Sequence, residues 1–375
     1  MRFLVLGFLF VAAAALAQPA APQAPSVIGK AWLLIDVTSD QVLLAERADE
    51  RFEPASLTKL MTAYLVFGAL KEKKLVPVQA VQVSERAWRA PGSRMFIEPN
   101  RPVTVDELIR GMIVQSGNDA CIALAEAVAG SEEAFAQLMN REAARLGMKA
   151  SRFANASGLP VPQHYSTARD LALLTIALIR DFPELYAQYY SMREYRYNNI
   201  TQMNRNRLLW LDPNVDGVKT GYTEAAGYCL IASSKRGPRR MLSVLLGSTS
   251  EAMRAQESQK LLNWGYLFFD SVKLYEKNQT VRALEVYKGA AREVKAGVTA
   301  DLYVSVPKGS ADRLKIDLHS QQPLYAPIAA GQPLGTLRVA LEGKPVGEYP
   351  LVALEAVPAA GIFGRAWDTL RLWIK

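Results

Sequence analysis

The stretch "PASLTKLMTAYLVFGAL", residues 54–70, sets a lysine inside an apolar helical pattern. Lys59 is flanked by Leu57, Leu60, Met61 and Tyr64, and apolar residues recur at three and four positions through Leu70. The pattern predicts a helix over 56–70 that is buried on most sides. Burial disfavours an ammonium and lowers its pKa, so a chain that keeps one there has a use for it. Ser56 supplies that use. It follows Pro54-Ala55 where the helix would begin, beside unpaired backbone N–H groups and the positive end of the helix dipole. Lys59 stands three residues on, which puts both side chains on one face, about 5–6 Å apart at Cβ. A neutral lysine beside a serine hydroxyl is a competent general base. Taken alone, Ser-x-x-Lys is common by chance and is better read as a capping serine and a lysine that reaches out to solvent.

Upstream, "KAWLLIDVTSDQVLLAE" (30–46) reads as two strands around a Thr-Ser-Asp turn. Downstream, helical periodicity recurs over 105–114, 120–128, 132–146 and 167–179, with a loop between Ala150 and Ser166. Strands return as "GYCLIASS" (227–234) and "RMLSVLLGS" (240–248), and a helix over 251–269 closes the block. Strands at both ends of a helical insert imply an α/β (α+β) domain, one mainly antiparallel sheet flanked by helices, over residues 18–270. After Tyr275 the texture changes. "ADLYVSV", "RLKIDL", "GTLRVAL" and "YPLVAL" alternate apolar and polar residues between Gly and Pro, as in a small all-β domain over 276–357. The last segment, "GIFGRAWDTLRLWIK", returns to helical period within 358–375. Phe363, Ala366, Trp367, Leu370, Trp373 and Ile374 fall on one face, and Arg365, Asp368, Arg371 and Lys375 on another. It is too short and too charged to span a bilayer and is expected to lie in the membrane interface as an anchor.

The first residues carry a basic start at Arg2, an apolar run and Ala15-Leu16-Ala17, the features of a secretory signal peptide over 1–17. The run is short for a membrane span, and no cysteine near the cleavage point suggests a lipoprotein. The mature chain is therefore expected to be exported and to begin at Gln18. A formal charge of +8 over 375 residues suits lipid or a carboxylate-bearing polymer. No dense Lys/Arg run with interleaved aromatics points to nucleic acid. The two cysteines, Cys121 and Cys229, sit in apolar contexts and are expected to act as small hydrophobes without a disulfide. Two histidines, His164 and His319, and the lack of Cys-x-x-Cys leave no metal site and no cofactor expected. His164 is expected in a loop or at the surface.

Two further motifs decide how Ser56-x-x-Lys59 is read. "IVQSGNDACIALAE" sets Ser116-Gly117-Asn118 between two apolar helices, and "NVDGVKTGYTEAAGYCLIAS" sets Lys219-Thr220-Gly221 ahead of a Gly-rich strand. Each is weak singly. In this order and at these separations they form the set found in penicillin-binding proteins and class A β-lactamases. Their chemistry is coherent. Ser56 attacks an acyl carbon while Lys59 accepts its proton, and Ser116 relays a proton to the leaving amine, helped by Lys219. Asn118 can hydrogen-bond a substrate amide, and Thr220 the terminal carboxylate. Gly221 lets an extended peptide lie along the strand edge. The backbone N–H groups of Ser56 and Tyr222 are the natural oxyanion pair.

At this point the chain resembles the low-molecular-mass penicillin-binding proteins that are D-alanyl-D-alanine carboxypeptidases, the group of penicillin-binding proteins 5 and 6. "EPASLTKLMTAY", "LIRGMIVQSGNDACIALAE", "NRNRLLW", "VDGVKTGYTEAAGYCLIAS", the β-rich segment and the terminal helix all carry the likeness. The resemblance implies a transpeptidase-like domain, removal of the last D-Ala from the peptidoglycan pentapeptide through an acyl-enzyme, covalent inhibition by β-lactams and attachment to the periplasmic face of the inner membrane. It also implies that Arg205, in "NRN", helps to bind the terminal carboxylate. Two departures stand out. Tyr222 occupies a position where relatives often carry His, and the glycine-rich active-site loop of relatives reads here as "WRAPGSRMF", with Arg89 and Arg94.

The competing readings are separable. A class A β-lactamase needs a carboxylate for the deacylating water. No Glu lies between Ala143 and Pro183, and the middle motif has Gly117 where that class has Asp, so penicillin is expected to acylate Ser56 and leave slowly. A Ser-His-Asp hydrolase would rest on His164 alone, without Gly-x-Ser-x-Gly. An endopeptidase acting on cross-links would use the same groups, and a wall-binding scaffold none of them.

Overall fold

Ala31–Asp36 (β1) is buried at every position, and its side chains divide by period two. Leu33 and Ile35 face one core, with residues of the helical block, while Trp32 and Leu34 face a second core with Leu261, Leu262 and Trp264. That alternation places β1 inside a sheet covered on both faces. The computed structural model describes residues 23–362 and Asp368. The leader expected at 1–17 lies outside the described residues, as do residues 363–367 and 369–375 of the terminal helix expected at 358–375. Within that segment Ala359 bridges Gly289 and Ala360 N donates to Lys288 O, so the chain is extended there.

The sheet also contains Gln41–Glu46 (β2), Val215–Thr223 (β3), Gly227–Arg236 (β4) and Arg239–Ser248 (β5). Its order is β2-β1-β5-β4-β3, with every pairing antiparallel, so β3 is an edge strand. One face carries the helical block: Lys59–Lys71 (α1), Val105–Val114 (α2), Asn118–Ala129 (α3), Glu132–Arg145 (α4) and Ala168–Asp181 (α5). The other carries Glu251–Phe268 (α6). Side-chain caps fix where these helices begin. Thr104 and Glu107 form a reciprocal capping box on α2, and Ser131, Thr167 and Ser250 cap α4, α5 and α6. The antiparallel sheet flanked by helices matches the expected fold class.

Two local expectations are corrected. Residues 55–58 form a 3-10 turn that precedes α1, so Ser56 is not the first residue of an α-helix, and no side chain caps α1. Lys219-Thr220-Gly221 stands ahead of the Gly-rich strand β4 as expected, but it is itself part of a strand, β3, whose Val, Thr and Tyr content alternates too poorly to be seen in the sequence.

Phe269–Tyr275 (β6) leaves α6 directly and pairs with Leu302–Pro307 (β9). A six-stranded sheet follows, built from Thr280–Tyr287 (β7), Glu293–Gly297 (β8), Leu314–Ser320 (β10), Leu324–Tyr325 (β11), Pro333–Leu341 (β12) and Lys344–Ala353 (β13), in the order β10-β12-β13-β8-β7-β11. Its core is aliphatic, with Leu284, Val294, Leu337 and Leu351 at the centre. Among the described residues, no helix is long and apolar enough to cross a membrane.

Candidate active site

The nucleophile turn is held from two sides. Ala55 has φ +47°, and Leu57 N donates to Pro54 O at 3.0 Å, which closes the turn. Gly158, with φ +87°, presses against it: a Cβ there would stand 1.8 Å from Ala55 O, so only glycine fits. Gly221 of β3 also approaches it closely: a Cβ there would stand 3.2 Å from Ala55 and Pro54 and 3.3 Å from Leu57. Ser56 is thereby fixed between a loop and a strand edge. Lys59 Nζ lies 2.9 Å from Ser56 Oγ, 2.8 Å from Asn118 Oδ1 and 2.6 Å from Ser157 O. The lysine is buried. Burial pushes its pKa down, and the nearby Arg205 charge adds to that.

A second lysine–serine pair faces the first. Lys219 Nζ lies 2.9 Å from Ser116 Oγ and donates to Thr220 O at 2.9 Å. Ser116 sits at φ +66° in the break between α2 and α3, which turns its side chain toward β3. Lys219 is pushed well below the ordinary lysine range, first by burial and then by the charges of Lys59 and Arg205. The two pairs belong to one cleft of about 470 Å³, lined by Ser56, Ser116, Asn118, Arg205, Thr220, Gly221 and Tyr222 among others. The break itself is held by Asp119, whose carboxylate accepts from the backbone N–H groups of Met95, Phe96 and Ile97 at 2.9, 2.8 and 3.3 Å. Asn118 is more committed than its expected role suggests. Its Oδ1 accepts from Lys59, and its Nδ2 donates to Pro91 O at 2.7 Å. One Nδ2 hydrogen is left for a ligand amide.

Residues 18–250 match the family described as D-alanyl-D-alanine carboxypeptidase. The chain belongs to that carboxypeptidase family. Residues 269–359 match the C-terminal domain of penicillin-binding protein 5. The chain is 45% identical over 370 residues to D-alanyl-D-alanine carboxypeptidase DacC of Escherichia coli K12, covering 96% of this chain and 92% of the relative. It is 40% identical over 360 residues to DacA of the same strain, covering 94% and 89%. The crystal structure of penicillin-binding protein 5 from Haemophilus influenzae superposes with a TM-score of 0.87 at 38% identity, over 90% of this chain and all of the other.

Within this carboxypeptidase-family chain the structure adds residues that the sequence did not offer. Arg254 of α6 lines the cleft while buried, donates weakly to Gly221 O and Arg205 O, and pairs with Glu251 at 3.3 Å. Its guanidinium lies 5.6 Å from the Tyr228 ring, which packs on Tyr222 with centroids 4.5 Å apart. Nothing in the sequence marked it: it is one arginine in a helix, outside every motif. Ser157 was likewise missed, because its contribution is a backbone carbonyl. Two carboxylates near the 150–166 loop are taken up by structure. Glu132 accepts from Ala156 N and pairs with Arg86, and Asp170 accepts from Ala150 N and Ser151 Oγ.

His164 lies in the loop as expected but not at the surface. It is buried, and its Nε2 is 2.8 Å from Thr58 Oγ1, one residue before Lys59. Ala154 N donates to its Nδ1, so the ring proton sits on Nε2 and is given to Thr58. Both cysteines are free and buried. Among the described residues, no cluster of His, Cys, Asp and Glu could hold a metal ion.

Proposed function

We infer that the chain is a serine-type D-Ala-D-Ala carboxypeptidase that removes the terminal D-alanine of peptidoglycan pentapeptides through a Ser56 acyl-enzyme, and that β-lactams acylate the same serine. The observation that carries this reading is the pair of buried lysine–serine contacts, Lys59 with Ser56 and Lys219 with Ser116, each at 2.9 Å in one cleft. Asn118 Oδ1 and Ser157 O take the two hydrogens of a neutral Lys59 amine, leaving its lone pair for the Ser56 hydroxyl. Ser56 Oγ adds to the penultimate D-Ala carbonyl as its proton passes to Lys59. The oxyanion is met by the N–H groups of Ser56 and Tyr222, where one donor typically contributes about 10²–10³ in rate. Ser116, hydrogen-bonded to Lys219, delivers a proton to the departing D-Ala amine, and water then attacks the ester with Lys59 again as base. Thr220 and the guanidinium of Arg205, backed by Arg254, receive the terminal carboxylate. Gly221 keeps the β3 edge open to the extended peptide.

Glu132 and Asp170 are already engaged, which favours a long-lived penicilloyl-enzyme over β-lactamase turnover. The signal-like leader and the amphipathic terminal segment support export and peripheral attachment to the periplasmic face of the inner membrane. The test is labelling with a fluorescent penicillin beside D-Ala release from a pentapeptide. Wild type should label and release D-Ala, and Ser56→Ala should do neither. Rapid penicillin turnover without D-Ala release would replace this reading by a β-lactamase.

A further inference from the structure

We propose that Arg94, on a groove next to the catalytic cleft, binds a free carboxylate of the substrate's stem peptide upstream of the scissile D-Ala-D-Ala. This deepens the carboxypeptidase reading and rests on it. The loop 88–96 forms one wall of the cleft: Gly92 and Ser93 line it, Ser93 O accepts from Asn118 N at 2.6 Å, and Pro91 O accepts from the Asn118 side chain. The next residue along, Arg94, lines a second groove of about 320 Å³ with Trp88, Arg89, Phe96 and Glu98. The loop is pinned rather than free. Asp119 holds Met95 to Ile97, and the hairpin 194–203 reaches across, with Gln202 Nε2 donating to Arg94 O at 3.2 Å and Asn198 Nδ2 to Phe96 O at 3.0 Å.

The charges in this groove are unevenly matched. Arg89 is paired with Glu85 at 2.7 Å. Arg94 has no carboxylate within ion-pair distance among the described residues. Its guanidinium lies over the Phe96 ring at 5.3 Å and makes one long hydrogen bond, 3.5 Å, to Trp88 O. An arginine stacked on an aromatic face keeps its outer N–H groups pre-organised for a bidentate acceptor. Trp88 and Phe96, 40% and 39% exposed, flank it with apolar surface. Glu98 repels an anion from its own side of the groove, which leaves the Arg94 side, one residue from the cleft wall.

Geometry and substrate chemistry then meet. If the terminal carboxylate sits by Thr220, Arg205 and Arg254, the peptide upstream of the reacting carbonyl leaves past the opposite wall, where Ser93 stands. Stem peptides carry free carboxylates on their acidic and diamino-acid residues, and amidation removes them. A half-buried arginine there distinguishes the two forms.

The experiment compares kcat/KM for D-Ala release from a stem pentapeptide with free side-branch carboxylates and from its amidated counterpart. Wild type should prefer the free acid by roughly threefold to tenfold, between a screened surface pair and a charge-assisted hydrogen bond. The preference should reside in KM and shrink as salt is raised. Arg94→Ala should bring the ratio to about one, and Arg94→Lys should keep part of it. Penicillin labelling of each variant reports that the catalytic site is folded. A wild type without preference, or an Arg94→Ala variant that keeps the wild-type ratio, would overturn the assignment while the carboxypeptidase reading stands. No release from either peptide by wild type would sink both.

Discussion

The two parts of this molecule bury different things. Up to Phe268 the interior holds Asp36, Lys59, Asp119, Glu132, His164, Asp170, Asp212, Lys219, Arg254 and Glu257. From Phe269 onward, among the described residues, no Asp, Glu, Lys, Arg or His is buried, and the cores are almost wholly aliphatic. A buried ionisable group costs several kcal/mol unless its partners are in place. The first part accepts that cost where a side chain must be neutral, as with Lys59, or must order a loop, as with Asp119. The β part has no such need. The joint between them is itself polar and buried: Asp36 of β1 accepts from Arg239 Nε at 3.0 Å, from Ser305 Oγ at 2.8 Å and from Ser271 Oγ.

The strongest way to break the comparison is at the base. Lys59→Ala should lower the rate of penicillin acylation by about 10²–10⁴, the usual contribution of a general base, without loosening the β part. The pH dependence has a definite sign. The base form of Lys59 dominates above its depressed pKa, so acylation should rise with pH through that pKa and fall as pH drops below it. Burial puts this rising limb below the ordinary lysine range. A limb near pH 10 in a stopped-flow profile would mean that Lys59 is not desolvated in solution.

The next largest effect lies on the other side. Leu337 is fully buried at the centre of the six-stranded sheet. Leu337→Ala should cost about 2–5 kcal/mol in the unfolding of that part, as for other buried leucines, while Ser56 keeps its penicillin labelling. Calorimetry with labelling on the same sample separates the outcomes. Loss of labelling at the temperature where the β part melts would show that the Asp36 joint transmits unfolding, and that the two parts are one cooperative unit.

What could be read from the sequence follows the same divide between local and distant causes. The α2 helix was legible to the residue from the helical recurrence of apolar residues over 105–114, and in the structure Thr104 and Glu107 cap its start. The strands β1 and β2 followed from apolar runs on either side of a Thr-Ser-Asp turn, and the β-rich texture from 302 to 353 from alternation. The strands over 269–275, 280–287 and 293–297 were not marked, because Lys, Glu and Arg on exposed faces interrupt their apolar period. At the cleft, Ser56, Lys59, Ser116 and Lys219 were legible because their spacing is a motif. Arg254, the Ser157 carbonyl and the contact of Gly158 with Ala55 arise only when distant segments are folded together, 49 residues apart for Arg254 with Arg205 and 98 for Ser157 with Lys59. The same holds for His164, whose burial depends on the packing of its loop beneath the nucleophile turn.

His164 gives the smallest effect and the sharpest contrast, because the chain's other histidine, His319, is exposed on the β part. Burial lowers the His164 pKa from 6.5 to about 4. Protonation would place an Nδ1–H against the Ala154 N–H that now donates to that nitrogen. Between these two values the unfolded chain binds a proton that the folded chain refuses. The unfolded state is therefore favoured as pH falls, and stability drops from about pH 6.5 downward. The shift corresponds to roughly 2–3 kcal/mol lost by pH 4.5. Urea titrations at pH 7 and pH 4.5 should show this loss in wild type and in His319→Gln, and a smaller one in His164→Gln. Glutamine can still accept from Ala154 N and donate to Thr58, but it does not titrate. If His164→Gln loses as much stability in acid as wild type, the acid sensitivity arises elsewhere in the fold and not from the histidine beneath the nucleophile.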